Sequence, residues 1–179
     1  ANHYSLQGMV RDIVFTSPQR ITRPQDLRFH LAASTEEISF DIVSNDLHLA
    51  FTATTYEPAW QWKLPTDLKS FDYTRYLSQL RTTLSVGNNN PLSHFLMVKG
   101  LSYRCIQGSI HNVPQGLSIN IKADGLSYQG TVVDTLSCVA LYEKNSLRAQ
   151  LTSSLLTWST PIMRVQASIG ATLLCEGFT

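Results

Sequence analysis

The sequence has few charged residues, since Asp, Glu, Lys and Arg make up 15% of its 179 residues, against about 25% in an average soluble protein. Its formal net charge is +1 and no block of like charge occurs, which excludes a strongly basic nucleic-acid coat and a long acidic tail. No uninterrupted apolar run reaches the ~18 residues of a membrane-spanning helix. Hydrophobic residues nevertheless make up 43%, so we expect most of the chain to fold around a core.

Cysteine is also scarce, with Cys105, Cys138 and Cys175 far apart in the sequence and no CxxC pair. This spacing argues against a zinc ribbon, and an odd number of cysteines does not suit a disulfide scaffold. We therefore expect reduced cysteines in a reducing compartment, each acting as a small core residue.

The motifs that mark common active sites are missing, including HExxH, GxSxG, GxxxxGK[ST] and GxGxxG. Five histidines are scattered at His3, His30, His48, His94 and His111. We expect no enzyme, no catalytic residue, no metal ligand and no cofactor. An enzyme that uses His94 or His111 is the third of three hypotheses.

Alternating apolar and polar residues predict many β-strands. The best example is a hairpin, with Ile38–Val43 and Leu47–Thr52 on either side of a Ser44-Asn45-Asp46 turn. Asp124-Gly125 is predicted as a second hairpin turn, and Lys99-Gly100 as a bulge in a strand. Further strands are predicted at 9–15, 27–32, 95–98, 101–106, 117–121, 126–133 and 136–142. The runs 147–158 and 162–174 are also predicted as strands, although 147–158 fits helical spacing as well.

Residues 71–86 are predicted to form the main helix. Its apolar positions recur at steps of three and four residues, and Gly87 is a suitable left-handed stop. These positions are Tyr73, Tyr76, Leu77, Leu80 and Leu84. The predicted fold class is therefore α+β, with twisted antiparallel β-sheets packed with one main amphipathic helix. Residues 1–26 are predicted as an extended N-terminal arm with a short strand, and 27–179 as a single globular domain.

Residues 71–106, FDYTRYLSQLRTTLSVGNNNPLSHFLMVKGLSYRCI, resemble the centre of rhabdovirus matrix proteins. There, an aromatic-led amphipathic helix is followed by a polar turn with a proline and then by an apolar strand with an internal glycine. The chain length is similar to that of the plant-infecting, cytorhabdovirus-like members. The resemblance implies a non-enzymatic structural protein of an RNA virus, located in the virion beneath the envelope and in the host cytoplasm.

In that role the protein would self-assemble between nucleocapsid and membrane and condense the nucleocapsid. Its implied partners are further copies of itself in a helical array, the viral nucleocapsid and an anionic membrane contacted peripherally, with no sequence-specific nucleic acid. The candidates for membrane or nucleocapsid contact are Lys63, Lys69, Arg75, Arg81, Lys99 and Arg104. Each basic residue near an anionic surface contributes about 1 kcal/mol. The candidates for self-association are Pro18 and Pro24, in an N-terminal segment that could dock on a neighbouring subunit, and Trp60 and Trp62, because exposed aromatic residues anchor interfaces.

The second hypothesis is a small-ligand-binding β-barrel or β-sandwich protein. Many short strands with turn residues between them suit this class as well. It predicts a closed apolar pocket, lined by residues such as Phe40, Phe51 and Ile119.

Overall fold

The computed structural model describes residues 3–18, 20–58, 77–143, 146–154, 156–159, 164–167 and 170–176. These residues form fifteen β-strands and one α-helix. The elements are β1 (Tyr4–Ile13), β2 (Thr16–Ser17), β3 (Arg20–Ile21), β4 (Gln25–Ala33), β5 (Glu37–Ser44), β6 (Leu47–Thr55), β7 (Leu77–Val86), α1 (Pro91–Val98), β8 (Leu101–Ser102), β9 (Cys105–Val113), β10 (Gly116–Tyr128), β11 (Thr131–Glu143), β12 (Ser146–Ser153), β13 (Leu156–Ser159), β14 (Arg164–Ala167) and β15 (Gly170–Glu176).

The strands form one broad antiparallel sheet. Its main path runs β1-β4-β5-β6-β7-β9-β10-β11-β12-β15, while β8 pairs with β10, β13 with β11 and β14 with β13. The strands β2 and β3 form a separate small hairpin. From β4 onward, most neighbours in the sheet are also successive strands in the sequence, as in a meander whose connections are short.

The predicted α+β class with a main amphipathic helix at 71–86 is wrong, because the fold is mostly antiparallel β-sheet. Residues 71–76 lie outside the described part, and Leu77–Val86 is the strand β7, paired with both β6 and β9. Leu80 and Leu84 are four residues apart, so they share a face on a helix and also on a strand. The β-branched Thr82, Thr83 and Val86 favour the strand, and pairing on both edges fixes it.

The helix lies instead at Pro91–Val98, where the sequence predicted a turn followed by a strand. Asn90 is its N-cap and forms a capping box with Ser93, and Pro91 occupies the first turn, where its missing N–H is not needed. Gly100, with φ +84, ends the helix and is not a strand bulge, and its N–H bonds to the Met97 carbonyl at 3.0 Å.

The predicted hairpin at 38–52 is confirmed as β5 and β6, with Ser44 opposite Leu47 and a turn at Asn45-Asp46. The turn predicted at Asp124-Gly125 is wrong. The strand β10 continues through both residues, and its register with β11 is unbroken up to Tyr128 opposite Thr131. The turn is Gln129-Gly130, and both residues have positive φ, as a tight two-residue turn requires.

Strands are confirmed at 27–32, 117–121 and 136–142. The described parts of 147–158 are strands as well, so the helical alternative there is wrong. Residues 4–13 form β1 at the edge of the same sheet, and the division of the chain into an arm and a domain stays a prediction.

One polar cluster, which we call the Asp46 cluster, fastens α1 to the β5–β6 turn. The Asp46 carboxylate accepts hydrogen bonds from the Asn90 side chain at 2.7 Å and the Asn89 backbone N–H at 2.9 Å. The Asn90 amide also donates to the Gly87 carbonyl at 2.8 Å. Asp46 lies so close to Gly87 that a Cβ atom there would overlap the carboxylate. Gly87 therefore serves close packing and is not a helix stop.

Candidate functional site

The pairing register divides the side chains of the sheet between two faces. In an antiparallel sheet, directly opposed residues point to the same face and successive residues to opposite faces. A row of opposed residues crosses nine strands from β1 to β12 on one side, and every member except one threonine is apolar. This central row is Leu6, Leu31, Phe40, Phe51, Thr82, Ile110, Ile119, Ala140 and Ala149.

The row beside it on the same side has no charged member and no hydroxyl or amide. It consists of Gly8, Phe29, Ile42, Leu49, Leu84, Gly108, Ile121, Cys138 and Leu151. We call the side of the sheet that carries these two rows the apolar face. Phe40, Phe51 and Ile119, which the ligand-binding hypothesis singled out, all lie in its central row.

The opposite side, the polar face, differs sharply in composition. Its row between the two apolar rows includes Gln7, His30, Asp41, Ala50, Thr83, Ser109, Asn120, Val139 and Gln150. A sheet with one wet and one dry face normally packs its dry face against another layer.

Among the described elements, α1 covers only one end of the apolar face. There Leu47, Val86 and Tyr103 are buried, with Leu96 of the helix packed against them. The aromatic members of the central row, Phe40 and Phe51, are only half-buried.

Elsewhere on the apolar face, large side chains are exposed to solvent. Ile121 and Leu151 are 43% and 40% exposed, and Leu6 at the β1 end is 58% exposed. Large exposed apolar patches on soluble proteins mark sites that contact a partner, a ligand or a membrane. The apolar face is therefore the strongest candidate for a functional surface.

On the polar face, a serine and a histidine lie within hydrogen-bonding distance of each other. Ser5 Oγ lies 3.0 Å from His30 Nε2, and His30 and Asp41 help to line a depression of about 580 Å³. The carboxylate of Asp41 bonds to His48 Nε2 at 2.8 Å, and both groups are well exposed. A catalytic triad needs the carboxylate to orient the histidine that activates the serine. Here Asp41 bonds to a different histidine, so the geometry does not support a triad.

Two buried polar atoms beside α1 have no hydrogen-bond partner among the described residues: His94 Nδ1 and the Tyr103 hydroxyl. Burial, and then the charge of Asp46, raise the pKa of Tyr103, while the nearby Asn90 and Ser93 partly offset the shift. Tyr103 is thereby held as a neutral phenol, which suits a structural side chain under the helix better than a catalytic base.

Cys105 does not have the character of a reactive thiolate. Its Sγ lies 3.5 Å from Asp124 Oδ2, and burial together with this hydrogen bond and the carboxylate charge raises the pKa of the Cys105 thiol. Reactive cysteines are activated by the opposite shift, towards a lower pKa. Asp124 in turn accepts a hydrogen bond from Thr135 Oγ1 at 2.9 Å and lies 3.4 Å from Lys122 Nζ.

Three of the basic residues predicted to contact membrane or nucleocapsid are described, and they lie on different elements. Arg81 is exposed on the polar face in β7, opposite His111 of β9. Lys99 follows α1, with its ammonium 6.0 Å from the centre of the Phe95 ring. Arg104 precedes β9 and lies 4.0 Å from Asp134. Seven residues separate Arg104 from His111, which is roughly 23 Å along a strand. Lys63, Lys69 and Arg75 lie outside the described residues.

Of the residues predicted for self-association, Pro18 is exposed in the turn between β2 and β3. Pro24 is exposed just before β4, beside a depression that Asp12 and Asn45 also line. Trp60 and Trp62 lie outside the described residues. The predicted list contains no member of the apolar face, because the rows emerge only from the pairing register. The alternation within each strand is the sequence signal that points towards them.

Two further kinds of site are absent from the described residues. No helix there is long and apolar enough to cross a membrane. No three side chains of His, Cys, Asp or Glu there are grouped as metal ligands. Comparison with known proteins found no matching family model, no matching curated protein and no matching solved structure.

Proposed function

We propose that this protein is a non-enzymatic structural protein of the matrix type that self-associates through the apolar face of its sheet. The observation that supports this proposal is the apolar character of two rows across nine strands, interrupted only by Thr82. Among the described elements, α1 covers these rows at one end alone. Burial of apolar surface contributes about 25 cal/mol per Å². A second copy that presents the same face would bury both surfaces at once.

The two rows cover a large part of the area that a stable interface needs. Nine strands at ~4.8 Å spacing span roughly 38 Å, and two rows of side chains occupy roughly 13 Å along the strands. The product is about 500 Å², which is more than half of the ~800 Å² that each partner contributes to a standard protein–protein interface.

The viral role is the finer part of the proposal: self-assembly in the virion between nucleocapsid and membrane, with condensation of the nucleocapsid. It rests on the resemblance of residues 71–106, although the part of that stretch at 77–86 is a strand and not the expected helix, and the part at 91–98 is a helix where the resemblance implied a strand. The exposed Arg81, Lys99 and Arg104 are available for peripheral contact with anionic partners. Because Arg81 lies far from Arg104 along the sheet, we expect such contact to be weak and sensitive to salt.

A second candidate function is binding of a small apolar ligand by the same face. It is favoured by the placement of Phe40, Phe51 and Ile119 in one row of half-buried side chains. In that case the ligand, and not a second copy, would cover the row.

Sedimentation velocity across a salt series, combined with native mass spectrometry, tests the two functions. Self-association through the apolar face should give species that grow with protein concentration and persist from about 0.05 to 1 M salt, because salt screens charges and does not weaken apolar burial. Growth at low salt alone would assign association to the basic side chains instead. A monomer at every concentration that carries a small-molecule adduct would contradict the proposal and favour ligand binding.

A further inference from the structure

The strand β1 leaves one edge of the sheet open. It is the first strand in the sheet order and pairs only with β4 among the described strands. Leu6, Met9 and Val10 are 58%, 41% and 49% exposed. Natural proteins usually protect such an edge with charges, prolines or bulges, because its unpaired backbone groups accept another strand.

The hydrogen-bond pattern of the β4–β5 hairpin determines which backbone groups of β1 face away from the sheet. Ser34 N–H donates to the Glu37 carbonyl at 2.8 Å, so even-numbered residues of β4 bond to β5 and odd-numbered ones bond to β1. The β4 residues Phe29 and Leu31 lie opposite Gly8 and Leu6. Even-numbered residues of β1 therefore bond inward, and the peptide groups of Ser5, Gln7 and Met9 point away from the sheet.

Features that protect a sheet edge occur only at the C-terminal end of β1. Arg11 and Asp12 are charged and exposed, Asp12 has φ +52, and the register with β4 shifts between Val10 and Ile13. This bulge ends regular pairing. The segment Tyr4–Val10 before it has no charge and no proline, and its centre is Gln7.

We propose that β1 of a second copy adds to this edge in antiparallel fashion, centred on Gln7. Only this register pairs every residue of the uncharged segment with another residue of the same segment. It forms about six backbone hydrogen bonds through Ser5, Gln7 and Met9. It places Tyr4 opposite Val10, an aromatic–β-branched pair that stabilises antiparallel ladders. Leu6 comes opposite Gly8, where the Phe29 ring occupies the space that a Cβ atom would fill.

The two-fold axis of such a ladder is normal to the sheet, so the apolar faces of both copies become one continuous surface. The inference rests on the proposed function in naming a second copy as the partner. It adds an isologous edge contact to the face contact, and two different contacts per copy can build an open array.

Residue-resolved amide hydrogen exchange of the full chain, at low and at high protein concentration, tests the edge contact. The amides of Ser5, Gln7 and Met9 should gain about tenfold or more protection as concentration rises. The amides of Leu6, Gly8 and Val10 should be protected at both concentrations, since they bond to β4. Outward amides that exchange at the same rate at both concentrations in an associating sample would overturn the inference.

A matched pair of variants gives a second measurement. Gln7→Pro removes one outward N–H and leaves the bonds to β4 in place, while Gln7→Ala keeps that N–H. We expect Gln7→Pro to weaken the edge contact by about tenfold or more, and Gln7→Ala to associate like the unaltered chain. Equal association of the two folded variants would contradict the inference.

The outcomes separate this inference from the proposed function. Dimers that never grow further, with protected outward amides, support the edge contact and contradict assembly through the apolar face. Large species whose outward amides stay unprotected overturn the edge contact and leave the proposed function standing. A monomer at every concentration contradicts both.

Discussion

At the scale of single residues, Asp124 shows how a misleading sequence signal conceals a structural role. Asp-Gly is a strong hairpin signal, yet Asp124 lies within β10 and contacts side chains of both neighbouring strands and of β10 itself. Thr135 donates to one carboxylate oxygen, and Cys105 and Lys122 lie near the other. Gly125 takes the φ of +65 that a turn would have needed, and a Cβ atom on it would lie only 3.1 Å from Arg104 Cβ.

The Asp124 carboxylate should make stability depend on pH in the acid range. The hydrogen bond from Thr135, with smaller contributions from Cys105 and Lys122, lowers the pKa of Asp124 in the folded state. The unfolded chain, with a pKa of about 3.9, then binds more protons at intermediate pH. The stabilisation is therefore complete above about pH 4 and is lost as the pH falls through the folded-state pKa.

We expect Asp124→Asn to be less stable than the unaltered chain at pH 6, with the difference shrinking as the pH falls below about 4. Urea unfolding at a series of pH values measures this difference. Thr135→Val, which removes the main donor, should reproduce part of the loss. Parallel stability curves for Asp124→Asn and the unaltered chain between roughly pH 3 and pH 6 would be evidence against this role.

At the scale of secondary-structure elements, local sequence patterns predicted well those strands that have one polar and one apolar side. They placed the helix wrongly. The β5–β6 hairpin was predictable because alternation and a turn signal agree there. The strand β7 was not, because Leu80 and Leu84 fit both periods and only its neighbours β6 and β9 decide between them. The helix α1 has a recognisable start at Asn90-Pro91, but its eight residues are too few for a clear helical period.

The helix α1 depends on its N-cap more than most helices do. Asn90 is fully buried, and its side chain bonds to the Ser93 N–H, the Asp46 carboxylate and the Gly87 carbonyl. A cap substitution usually costs about 0.5–2 kcal/mol, and here the Asp46 carboxylate and the Gly87 carbonyl each lose a hydrogen bond as well. We expect Asn90→Ala to lower the free energy of unfolding by roughly 2–4 kcal/mol.

Chemical denaturation of Asn90→Ala beside Asn88→Ala measures this effect. Asn88 is exposed two residues earlier in the same connection, and its substitution should change stability by less than about 0.5 kcal/mol. Similar losses for the two variants would show that the Asp46 cluster does not hold the helix.

At the scale of the whole molecule, the candidate functional surface was only partly predictable. Each strand's alternation was visible in the sequence, and the three residues of the ligand-binding hypothesis do share a row. That the rows join across nine strands depends on register, which sequence patterns do not specify over long range. Of the predicted basic contacts that the structure describes, Arg81 and Arg104 lie far apart along the sheet and Lys99 follows α1, so proximity in the sequence did not translate into one basic face.

In the proposed assembly, copies of the protein associate through the apolar face. Leu151 and Gln150 are adjacent in β12, both exposed, and they lie on the apolar and polar faces respectively. Leu151→Lys and Gln150→Lys add the same charge to the same strand, so they differ only in the face that receives it. Far-UV circular dichroism should first show that both variants retain the sheet.

The most direct test is sedimentation velocity of these two variants and the unaltered chain over a range of protein concentrations. We predict that Gln150→Lys associates like the unaltered chain, while Leu151→Lys needs at least about tenfold more protein, since a lysine buried at an apolar interface is costly. Equal association of Leu151→Lys and Gln150→Lys would contradict the account.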